Sequence, residues 1–193
     1  MNLFYEKYPK VLEVHGEFCP IITDFREYIR LLDMLKCKEL NDIQKIMILK
    51  EYFLKDISID SEAIHALTDF VTMNMKEKES EQDPDGEEGE ELEETGKKNL
   101  FSYEIDYPYI LSGFLRDYGI DLETVNYLHW WKFRMLFDGL SEDTEIKQRI
   151  MYRGINLSDI KDKEERKRIS KIQRSIQLPD EELTDYEIGN AFA

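Results

Sequence analysis

The sequence predicts a mainly α fold: a compact helical domain of six to seven helices with a short N-terminal β-hairpin and a disordered acidic insert. Three observations lead there. Apolar residues recur at three- and four-residue spacing through most of the 193 residues, the period of a helix with one buried side. Capping residues and glycines break that pattern at helix-length intervals. Residues 76–99 lose the pattern altogether and carry dense negative charge. The chain thus reads as four parts. Residues 1–75 hold the hairpin and first helices, and 76–99 the disordered insert. Residues 100–178 hold the remaining helices of the same domain, and 179–193 a flexible acidic tail.

The hairpin is expected near the front. Lys10–Val14 alternates loosely, His15-Gly16 can turn, and Glu17–Ile21 can return, although Pro20 limits pairing. Thr23 opens a first helix with Phe25, Tyr28, Ile29, Leu32 and Leu35 on one stripe. Asn41 and Gln44 fit a capping box at the start of a second, along which Ile43, Ile46, Met47, Lys50 and Phe53-Leu54 follow at helical spacing. A third begins at Asp60 or Ser61, with Ile64, Leu67, Thr68 and Val71 on its inner side.

After the acidic insert, Pro108 suits the first turn of a helix through Tyr118, and Gly119 suits a left-handed cap. Asp121 then starts another helix, Leu122–Asp138. Leu122, Val125, Leu128, Trp131, Met135 and Leu136 cover one broad side of it, and Tyr127, Trp130, Phe133 and Phe137 much of the rest. A helix apolar nearly all round is the centre of a domain or part of an interface. Gly139 ends it, Ser141 is the expected cap of the next, and Ser158 or Asp159 opens a last helix before Leu178-Pro179.

Charge is uneven. Glu77–Glu94 holds eleven acids and one Lys, so it carries −10 of the net −16 and leaves −6 for everything else. That balance argues against a general role in gripping phosphate backbones, so no nucleic-acid partner is expected. Cys19 and Cys37 form no CxxC and have no His at ligand spacing, and free thiols in a reducing compartment follow. The N-terminus has no signal-peptide core and no apolar run reaches membrane-spanning length, which points to a cytoplasmic protein without a membrane partner.

Catalytic chemistry finds no constellation. His15, His65 and His129 stand apart from one another, and no phosphate-binding glycine loop or nucleophile elbow occurs. The expectation is a non-enzyme without cofactor or metal. The helix–Gly–helix at 108–138 resembles a helix-turn-helix in outline, but its second helix opens on Leu122, Glu123, Thr124 and Val125, which do not read base edges. The basic run Lys161–Arg174 is diluted by Asp162, Glu164 and Glu165. It reads as a solvated face with i,i+4 pairs, or else as a dock for an acidic partner or for the protein's own acidic insert. The outer side of the aromatic helix is the one candidate working surface, able to meet a partner helix in a groove.

The stretch from Tyr118 to Gln173 resembles the bacteriophage Gp-fifteen family, proteins of tailed phages and prophages of Gram-positive bacteria. Tyr118-Gly119-Ile120-Asp121, Leu128-His129-Trp130-Trp131-Lys132-Phe133 and Leu136-Phe137-Asp138-Gly139-Leu140 carry the likeness. Tyr152-Arg153, Asp159-Ile160-Lys161 and, near the front, Pro20-Ile21 and Thr23-Asp24-Phe25-Arg26 extend it. The acidic insert is longer than the family leads one to expect. The resemblance implies a tail assembly chaperone that works in the host bacterial cytoplasm. Its partners would be the tape-measure protein and the tail-tube protein, with a homo-oligomer possible, and it brings no catalytic or cofactor residues. A structural adaptor or minor tail component retained in the virion is the alternative, and a nucleic-acid-binding regulator a third. On the chaperone reading, Trp130, Phe133, Phe137, Tyr127 and Phe114 would form the client-binding surface.

Overall fold

The computed structural model describes residues 5–74 and 100–178; the acidic insert and the tail lie outside them. Among the described residues are seven α-helices, one 3-10 turn and a two-stranded sheet, so the mainly α fold with an N-terminal hairpin is the one observed. The chain forms two compact units. One combines the described part of Met1–Glu91 with Ile120–Gly139, and the other is built from the described parts of Leu92–Gly119 and Leu140–Ala193.

In the first unit, β1 (Val11–Val14) pairs antiparallel with β2 (Glu17–Pro20), and Leu12 lies opposite Cys19. His15 and Gly16 both take positive φ, 54° and 72°, as a tight hairpin turn requires. Leu12, Val14 and Cys19 face inward, whereas Val11 and Phe18 face solvent, which is the alternation of a half-buried strand. Helix α1 (Phe25–Lys36) is capped by Asp24 rather than Thr23, α2 (Asp42–Lys50) by Asn41, and α3 (Ser61–Thr72) by Asp60. The capping box of Asn41 with Gln44 is present in both directions. The inner side of α3 is rotated from the one expected. Ala63, Leu67 and Phe70 are buried and Thr68 is exposed, because Phe70 offers the larger apolar side chain to the aromatic core.

The expected helix Leu122–Asp138 is corrected. Residues 122–124 form a turn, the rest of 121–128 is irregular, and α5 runs only from Trp130 to Asp138. The cause is local competition for hydrogen bonds. The Asp121 carboxylate accepts from the Glu123 N–H and the Thr124 hydroxyl. Arg26 Nη2 donates to the carbonyls of Leu122 (3.0 Å) and Val125 (2.5 Å), which a helix would have turned toward its own amides. The chain enters α5 extended, with Trp130 N–H on the Thr23 carbonyl and Phe25 N–H on that of Leu128.

In the second unit, α4 (Tyr107–Tyr118) ends on Gly119 at φ 64°, the left-handed cap expected there. Helix α4 packs on α6 (Glu145–Gly154), and α6 on α7 (Lys163–Ser175). Two starts differ from expectation. Helix α6 is preceded by Thr144, because Ser141 is used in a turn: its N–H reaches Asp117 Oδ2 at 2.7 Å and its carbonyl takes the Thr144 hydroxyl. The last helix starts at Lys163 with Asp162 as cap. Leu157–Asp159 is a separate 3-10 turn, and Arg166 holds the Ile160 carbonyl between them.

One buried ion pair organises this unit. Arg153 meets Asp106 through two bonds, 2.6 and 2.9 Å, with side chains 3% and 0% exposed. The same guanidinium donates to the carbonyls of Leu100 (3.0 Å) and Ile176 (2.7 Å). Every one of its bonds is thus charge-assisted, and the Asp106 carboxylate also accepts the Ser102 N–H.

Candidate functional site

The aromatic residues of α5 are core. Trp130 and Phe133 are fully buried, Phe137 and Trp131 nearly so. Tyr28 stacks on Trp130 (5.4 Å between centroids) and meets Phe70 (5.2 Å), while Phe25 stacks on Phe133 (4.7 Å). Both indoles are satisfied at the end of α3: Trp130 Nε1 donates to Val71 (3.0 Å) and Trp131 Nε1 to Phe70 (2.8 Å). These carbonyls belong to the last helical turn, where intrahelical donors run out. Burial pushes the Tyr28 phenol far up and that of Tyr52, which donates to the Glu27 carbonyl, up to about 12.

Of the five residues expected on a client-binding surface, Trp130, Phe133 and Phe137 are therefore interior to the first unit, and Phe114 is fully buried in the second. Tyr127 alone is exposed, at 47%, and its hydroxyl is 2.7 Å from that of Thr23. Their burial has a simple cause. With 121–128 outside the helix, the short α5 turns its aromatic residues toward α1 and the end of α3, and its outer side carries the exposed Lys132 and Asp138.

His129 sits at the start of α5. Its Nδ1 accepts the Trp131 N–H at 3.1 Å, so Nε2 carries the proton and donates to the Pro9 carbonyl at 2.9 Å. Its ring stacks with Tyr8 at 4.9 Å. Burial holds the imidazole below its ordinary value. It is a neutral capping residue.

Exposed large apolar side chains occur in both units, Phe18 and Leu115 among them, and three of them share one side of α2. Helix α2 has no buried residue. Ile43 (71% exposed), Ile46 and Met47 (65%) lie at i, i+3 and i+4 on one side, and Leu54 (66%) follows the helix. Helices α1 and α2 pack together, and an open groove of about 690 Å³ lies there, floored by Ile29, Met34, Leu40 and Ile48, with Cys37, Arg26, Arg30 and Asp33 along it. Sequence spacing had placed Ile43, Ile46 and Met47 on a common side but did not tell that side from a core-facing one. The signal that could have done so is the shortness of α2, whose nine residues carry apolar groups on more than one side.

Among the described residues there is no group of three His, Cys, Asp or Glu side chains placed to hold a metal ion, and no helix long and apolar enough to cross a membrane. Cys19 and Cys37 are both free thiols. What the first unit offers is an exposed apolar side of α2 on a small, mainly helical protein. The chain belongs to the family described as Bacteriophage Gp15 protein, which matches residues 4–178. No curated protein and no solved structure matches it.

Proposed function

We propose that this phage-family protein is a tail assembly chaperone, a non-enzymatic factor that binds the tape-measure protein in the host cytoplasm during tail morphogenesis. The observation that carries this reading is the exposed apolar side of α2, Ile43, Ile46 and Met47, on the helix that also lends Ile48 to the α1–α2 groove. A tape-measure protein presents long helices with apolar sides, and such a helix binds by laying those side chains into an apolar groove. The remainder of the protein suits a soluble escort. Its net charge of −16 keeps complexes apart by repulsion. The α1–α2 face replaces the α5 aromatics as the client-binding surface, since the latter are already packed against one another.

Co-expression with the tape-measure protein of the same phage tests the reading. The client should move from the pellet to the soluble fraction in the presence of this protein and co-purify with it. Mass spectrometry of purified virions separates a chaperone, which is absent from the particle, from a retained adaptor or minor tail component.

A further inference from the structure

Helix α7 presents a basic face that, among the described residues, has no neutralising partner for most of its cations. Lys167, Lys171 and Arg174 recur at helical spacing, with Arg168 beside them, and all four are exposed. Arg168 reaches Glu165 only at 4.0 Å. Among the described residues, Lys167, Lys171 and Arg174 have no carboxylate within ion-pair distance. Lys163–Ser175 carries six cations and two acids, a net of +4 in a chain of −16.

The chain leaves α7 from a fixed point. The Ile176 carbonyl accepts from Arg153 Nε at 2.7 Å, and Arg153 is itself anchored on the buried Asp106. Asp180, Glu181 and Glu182 come four to six residues later, followed by Asp185 and Glu187, with no Lys or Arg among residues 179–193. Lys167 lies nine residues back along the helix from Ile176, about 14 Å at helical rise, and roughly five extended residues span that length. A tether this short places the acids near the basic face at an effective concentration in the millimolar range.

We propose that the acidic segment Asp180–Glu187 docks on the basic face of α7 formed by Lys167, Lys171 and Arg174. The other acidic run, Glu77–Glu94, is the weaker occupant, because Lys97 and Lys98 stand between it and Leu100, where the described chain resumes. With the face covered by the chain's own acids, an outside acidic or phosphate-bearing partner binds only by displacing them, which keeps a cationic helix from holding unrelated polyanions.

The test uses the full chain. Unlabelled and nitrogen-15-labelled protein are mixed in equal amounts and treated with a zero-length carbodiimide, which joins carboxylates to lysine amines. The products are read by mass spectrometry. Cross-links from Lys167 or Lys171 to residues 180–187 are expected within single chains, about fivefold weaker in 0.5 M NaCl because the attraction is screened. Arg168→Glu with Arg174→Glu should lower them by a similar factor although both lysines remain. Four results would overturn the proposal. The lysines could join Glu77–Glu94 in preference, or join labelled to unlabelled chains. They could give no such product, or give one indifferent to salt and charge reversal.

Discussion

Arg26 holds the Val125 carbonyl at 2.5 Å and, through the same nitrogen, the Leu122 carbonyl at 3.0 Å. One arginine of the first helix thereby decides where the tryptophan helix begins. The Asp24 carboxylate, which caps α1, also accepts the Leu128 N–H at 3.4 Å. The Thr23–Arg26 and Leu128–Trp131 segments, about a hundred residues apart in sequence, thus form one junction through reciprocal backbone and side-chain bonds.

Arg26→Gln should lower stability by about 1–2 kcal/mol, since two carbonyls lose a charged donor but the site is partly open to water. Equilibrium urea unfolding reads the loss. Near-ultraviolet circular dichroism should change in the tryptophan region, because residues 122–128 are then free to extend α5 backward. An unchanged midpoint would show that Arg26 follows the turn instead of setting it.

That junction also marks where sequence reading reached its limit. Amphipathic spacing located α1, α3 and α4 to within about two residues, and cap chemistry located α2 and the hairpin turn. Spacing failed at Leu122–Leu128, where the apolar pattern is helical but the backbone acceptors are taken by Arg26 from afar. It failed again at α2, because a row of apolar residues looks the same in sequence whether it is covered or not. The pairing of Asp106 with Arg153 across 47 residues was not legible either. Long-range polar contacts leave no period behind them.

Arg153→Met should be among the most damaging single changes in the second unit. It leaves the Asp106 carboxylate buried without a partner and removes the donors of Leu100 and Ile176. The expected loss is about 3–5 kcal/mol. Arg153→Met with Asp106→Leu should cost less than the sum of the two single changes, because no lone charge remains. Denaturant titration of the four proteins completes the cycle, and simple additivity would mean the pair is not coupled.

His129 sets a pH dependence with a definite sign. The unfolded chain takes up a proton near pH 6.5, whereas burial delays protonation of the folded imidazole to lower pH. Protonation would also remove the Nδ1 acceptor of the Trp131 N–H. Stability should therefore be full above about pH 7 and fall as pH drops through 6.5 toward the folded value. His129→Asn keeps a cap without a titrating group. It should lose less stability than the wild type between pH 7.5 and 5.5 in urea titrations, and equal losses would assign the dependence to other groups.

Core and surface separate cleanly in this fold. Trp130→Ala should cost about 3–5 kcal/mol, as a fully buried indole with a hydrogen bond to Val71 is removed. Its effect on client binding would then follow from lost folding, so it does not inform on function.

Ile43→Ser with Met47→Ser is the direct test of the client surface. Both side chains are exposed, so thermal unfolding should shift by less than about 1 kcal/mol in stability. Co-expressed with the tape-measure protein, this stably folded variant should fail to keep the client soluble and should not co-purify with it. Client solubility equal to that with the wild type would contradict the α1–α2 face as the binding surface.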